Sequence, residues 1–111
     1  MQPNTAVHAA TVDLSRQHVP ADPAVTDGAK TGTLALADFD GLEVGIWEMT
    51  PGAMTDVEVE ELFIVLSGSA TIEFADGSPT LEVGAGDVVR LAAGAETLWT
   101  VTETLRKIYL T

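Results

Sequence analysis

From Thr33 onward the chain alternates short runs of Val, Ile, Leu, Thr and aromatic residues with glycine-bearing breaks, and no stretch carries the 3.6-residue apolar stripe of a helix. The runs predict strands at Thr33–Phe39, Leu42–Met49, Leu62–Leu66, Ala70–Phe74, Pro79–Val83, Asp87–Leu91, Thr97–Val101 and Leu105–Leu110. Within Ala70–Phe74 the alternation sets Ala70, Ile72 and Phe74 on one face and Thr71 and Glu73 on the other, so one side meets a core and the other meets water. Asp40-Gly41 and Asp76-Gly77 read as tight hairpin reversals, and Pro51-Gly52 and Ser67-Gly68 as further turns. Short antiparallel strands of this kind build a sandwich or barrel, and closure removes the edges they would otherwise expose. Residues 1–31 mix Pro, Asp, Thr, Ala and Gln without a sustained period. They are expected to form an arm outside the core, with the barrel spanning residues 32–111.

A length of 111 residues with 46% hydrophobic content suits one compact domain. The absence of cysteine excludes disulfides, thiolate metal sites and a cysteine nucleophile, and leaves the redox compartment open. The first twenty residues hold no continuous apolar run of the kind a signal peptide or membrane span needs, so a cytoplasmic location is the default expectation. A net charge of −12, with no Lys or Arg between Thr31 and Val89, repels phosphates and attracts cations. Nucleic acid and membrane surfaces are therefore not expected as partners. Most of these acids serve a solvated surface, and only those turned inward carry a sharper meaning.

Two segments bear a family resemblance. The stretch from Gly45-Ile-Trp-Glu-Met-Thr-Pro-Gly through Glu61-Leu-Phe-Ile-Val-Leu-Ser-Gly68 resembles the first cupin motif, with the glutamate-to-glycine spacing of Glu61 and Gly68. Gly84-Ala-Gly86-Asp87-Val-Val-Arg-Leu-Ala-Ala-Gly94 resembles the second, with Ala92 where that motif has proline. The tail from Trp99 to Tyr109 is similar to the RmlC-like subgroup that holds ureidoglycine aminohydrolase and the ethanolamine-utilisation cupins. The resemblance covers about Gly41 to Leu110. It implies an all-β, double-stranded β-helix of jelly-roll type, a small pocket inside the barrel, a homodimer to which an N-terminal arm adds a strand, and a divalent metal held by histidines.

The metal is where this chain departs. The family's histidine positions fall on Met54 and Asp56, or on Thr55 and Val57, and near Thr97, while His8 and His18 lie in the arm. Zn, Fe and Ni sites rely on imidazole or thiolate donors, so no cofactor of that kind is expected. Asp56, Glu58, Glu60 and Glu61 leave open a weaker all-oxygen site for Mg²⁺, Ca²⁺ or Mn²⁺; period two puts the first three on one face and Glu61 on the other. Glu61 keeps its family position and shares a face with Phe63 and Val65, so it is expected to point inward, where a carboxylate needs Lys107, Thr97 or Tyr109 as partner. Trp47, Met49, Met54, Phe63, Trp99 and Tyr109 are the large or soft side chains available to line a pocket, most of them as plain core. The leading expectation is a small polar or cationic ligand anchored by Glu61. The alternatives are a hydrolase, isomerase or cyclase using Glu61 as acid or base or a weak carboxylate-bound divalent metal, and a structural homodimer without ligand.

Overall fold

The computed structural model describes residues Met1–Thr111 and contains eight strands and no helix. They are β1 (Arg16–His18), β2 (Lys30–Phe39), β3 (Leu42–Met49), β4 (Gly52–Val57), β5 (Glu61–Phe74), β6 (Leu81–Gly84), β7 (Val88–Leu91) and β8 (Glu96–Leu110). All pairings are antiparallel. The two long strands, β5 and β8, pair along their whole length and belong to both walls of the barrel. Their ends at Glu61 and Leu110 extend one wall through β7 on one side and β3, β2 and β1 on the other, while their remaining halves carry β6 and β4 on the opposite wall.

This arrangement corrects the strand list. Leu62–Leu66 and Ala70–Phe74 are one strand, as are Thr97–Val101 and Leu105–Leu110. The intervening residues are bends with irregular register, the device by which a strand passes from one sheet to the next. Gly68 sits in that bend at φ +84, and a Cβ there would lie 2.6 Å from the Thr104 carbonyl carbon, so Ser67-Gly68 is a bulge and not a chain reversal. Asp40 and Gly41, at φ 53 and 83, do make the two-residue reversal between β2 and β3.

Residues 1–31 lie along the barrel. β1 pairs with the start of β2, the Val25 and Thr26 amides donate to the Ala53 carbonyl, and the Thr55 amide donates to Pro23. Ala29 belongs to the core cluster. Between the two walls that core is built on Phe63, Val65, Ile72, Leu91, Trp99 and Leu105.

Candidate functional site

At one end of the barrel the inward positions change from aliphatic to polar. Trp47 on β3 stands opposite Lys107 on β8, and Tyr109 stands opposite Phe63 on β5, so these four side chains point between the walls together. The Lys107 ammonium lies 4.7 Å from the Trp47 ring centre, 4.2 Å from Phe63 and 4.9 Å from Trp99, all within cation–π range. Its hydrogen bond goes to Glu61 Oε2 at 3.0 Å, and the two side chains are only 6% and 12% exposed. Glu61 thus faces inward and meets Lys107. The other two expected partners are engaged elsewhere: Tyr109 donates its hydroxyl to Glu43 Oε2 at 2.8 Å, and Thr97 donates to Glu58 Oε2 at 2.7 Å.

Glu58, expected from the sequence only as one of a run of acids, is buried against Thr97 and Trp99. It is 8% exposed, and its Oε2 also accepts the Trp99 indole N–H at 2.9 Å. Strand β4 ends at Val57, and the following connection is pinned to the β7–β8 loop by Glu58 N–H to Ala95 and Gly94 N–H to Glu58. That turn breaks the period-two expectation. Asp56, Glu58 and Glu61 all line one cavity of about 250 Å³, whereas Glu60 faces solvent and pairs with Arg90. Trp47, Met54, Trp99, Lys107 and Tyr109 also line it; Thr97 meets it through Glu58, and Phe63 lies beneath Lys107. A wider groove of about 810 Å³ shares Asp56 and Val57 with this cavity but lacks the caged ammonium.

Burial pushes the Lys107 pKa down, and the charge and hydrogen bond of Glu61 pull it part of the way back. Burial also raises Tyr109 to about 12, helped by Glu43. Asp56 rises to about 6, first through lost hydration and then through the adjacent Glu58 charge. Its folded pKa lies above the ordinary 3.8, so the folded state binds the extra proton and stability falls as pH rises from about 4 to about 6. Asp56 keeps an exposed side, which screens the effect. Asp56→Asn is therefore expected to raise stability at pH 7 by only about 1 kcal/mol and to flatten that acid-side fall. Urea unfolding at pH 4 and pH 7 checks it, and an unchanged slope would refute the pairing of Asp56 with Glu58.

Residues 37–109 match the family model of the EutQ-like cupin domain. The chain belongs to that family. Among solved structures, this cupin is similar to a protein of unknown function from Pseudomonas syringae pv. tomato, with TM-score 0.77 and 24% identity over 91% of this chain. It spans 45% of that protein's length. It is also similar to the EutQ protein of Clostridium difficile, with TM-score 0.72 and 18% identity over 96% of this chain and 84% of that one. A cupin superfamily protein of Desulfitobacterium hafniense gives TM-score 0.57 and 19% identity over 73% of this chain and 75% of the other. At these identities the likeness is one of fold. No curated protein matches the sequence.

The residues of this cupin do not fit a histidine-held metal. The corresponding positions, Met54 and Asp56 or Thr55 and Val57, with Thr97, hold no histidine, and one side of Glu61 is taken by an ammonium that would repel a divalent ion. No group of three His, Cys, Asp or Glu side chains is arranged to hold an ion, and Glu60 has left the cluster on which an all-oxygen site would depend. No helix is long and apolar enough to cross a membrane.

Proposed function

We propose that this cupin binds a small cationic molecule, the size of a short alkylamine, at the polar end of its barrel. The observation that carries this is the charge of the cavity. Asp56, Glu58 and Glu61 converge on about 250 Å³ whose lining offers Lys107 as its sole cation, so a negative charge is left for a ligand to neutralise. The volume falls below the roughly 300 Å³ at which sites for larger ligands begin. Trp47, Trp99 and Tyr109 supply walls on which an alkylammonium can rest. Calorimetry with ethanolamine and propylamine should give dissociation constants on the order of 0.1 mM, as four non-hydrogen atoms deliver at up to about 1.5 kcal/mol each. Acetate and propionamide should show no heat. Glu58→Gln, which keeps an acceptor for Thr97, should weaken amine binding about tenfold or more. Equal binding of amines and amides would defeat the reading.

A homodimer without bound metal is part of the same proposal. Leu34, Ile108, Ile64 and Val88 flank Ile46 across β2, β8, β5 and β7 on the outer face, and Ile46 itself is fully buried. Leu34 and Val88 remain exposed. In a chain of net charge −12, an uncharged aliphatic row is where a second copy can approach without repulsion. Native mass spectrometry reads both points at once. The expected mass is twice 11.6 kDa with no added metal, and a monomer, or a retained equivalent of Zn, Fe, Ni or Cu, would overturn the corresponding half.

A further inference from the structure

The amine-binding reading leaves Lys107 as a counter-ion, yet its surroundings are those of a reactive amine. We propose that Lys107 condenses reversibly with a small aldehyde, uncharged or cationic, to form an iminium inside the barrel. This goes beyond amine binding and stands or falls separately from it.

Three features support it. The Nζ lines a cavity with space for a few non-hydrogen atoms. Its one hydrogen-bond acceptor is Glu61, positioned at 3.0 Å to take a proton and free the nitrogen lone pair. The other carboxyls facing it are Asp56 and Glu58, whose charges both act on the ammonium. Asp56 titrates at about 6 and so supplies a proton donor near neutral pH, while burial in an apolar setting favours the neutral amine that must attack.

The reaction balances without a redox partner. A proton passes from Lys107 to Glu61, the freed nitrogen bonds to the carbonyl carbon, and the carbonyl oxygen takes a proton from Asp56. The carbon–oxygen bond then breaks, and the oxygen leaves as water carrying two of the three original ammonium protons, relayed through the carboxyls. The third stays on the iminium nitrogen. That product is again a cation, so the rings of Trp47, Phe63 and Trp99 and the Glu61 carboxylate hold it as they held the ammonium. Anionic aldehydes are excluded by the same carboxylates.

The chain carries its own reference, because its other lysine, Lys30, is exposed on β2. The full-length protein would be treated near pH 7 with propanal or glyoxylate and sodium cyanoborohydride, whose hydride fixes each C=N bond as a secondary amine, and mapped by peptide mass. Lys107 should be propylated several-fold faster than Lys30, because burial lowers its pKa and leaves more of its amine free. Glyoxylate should show no preference for it. In urea the two lysines should react alike. Propylation of Lys107 no faster than Lys30 in the folded protein would overturn the proposal, and preferential labelling by glyoxylate would overturn the assigned class of aldehyde. Calorimetry with amines reports the binding site independently.

Discussion

Glu61→Gln is expected to destabilise the fold by about 3 kcal/mol at neutral pH, because it leaves the Lys107 ammonium in the barrel without its carboxylate. The substitution keeps the shape and one acceptor oxygen, so the loss measures the charge and not a cavity. Asp56 and Glu58 still face the ammonium, which holds the loss to the low end of what breaking a buried pair produces. The pH dependence identifies the cause. Burial already sets the folded Lys107 pKa below its ordinary 10.5, and removing Glu61 takes away the largest influence that raises it. An unfolded chain then binds a proton that the folded chain has lost, so stability must climb with pH between the folded value and about 10.5. That climb should be steeper in Glu61→Gln than in the parent. Adding Lys107→Met removes the stranded cation, fills the aromatic cage with a soft side chain, and should recover most of the loss. Urea titrations of the three proteins at pH 7 and pH 9.5 decide the matter. A Glu61→Gln protein as stable as the parent, with the same slope, would show that Lys107 does not depend on this pair.

The inward direction of Glu61 was legible because Phe63 and Val65 share its face, and a strand cannot turn one of the three outward alone. Its partner was legible only as one of three. The choice fell to Lys107 because Tyr109 rests its ring on Gly45 and reaches Glu43, while Thr97 lies on the opposite wall beside Glu58. Glu58 could not have been found by periodicity. Its bonds to Thr97 and Trp99 span 39 and 41 residues, and the strand that would have carried a period-two face ends one residue before it. Strand β4 itself escaped notice because Gly52-Ala-Met-Thr-Asp-Val57 has little of the β-branched or aromatic content by which strands announce themselves. The bend in β5 reads as a reversal for a related reason. A glycine needed at positive φ looks the same in a sequence whether it turns a chain back or passes it from one sheet to the next. The docking of the arm on its own barrel rests on backbone carbonyls and one buried arginine, neither of which leaves a pattern in the sequence.

That arginine sets the second large effect. Glu48 on β3 is 3% exposed and lies between Arg16 on β1 and Arg106 on β8, with bonds of 3.1 and 3.2 Å to the first and 3.3 Å to the second. Arg106 extends from this pair into the arm, donating through Nη1 to the carbonyls of Ala9 and Val12 at 3.0 and 2.7 Å. One carboxylate therefore orients the guanidinium that ties residues 9–12 to the barrel and also holds the edge strand β1. Glu48→Ala should lower stability by about 3 kcal/mol, since Arg106 would stay buried without a counter-charge while the more exposed Arg16 returns to water. Burial by itself would raise the Glu48 pKa, but the Arg16 hydrogen bond and the charges of both arginines outweigh it and bring the value below 4.5. Its contribution is thus complete above about 4.5 and disappears as pH falls through the lower folded value, so the gap between parent and Glu48→Ala should narrow in acid. Limited proteolysis at pH 7 supplies the second readout. Cleavage within residues 1–20 should accelerate in Glu48→Ala while the β circular dichroism signal persists, and an arm as protected as in the parent would mean that backbone pairing alone secures it.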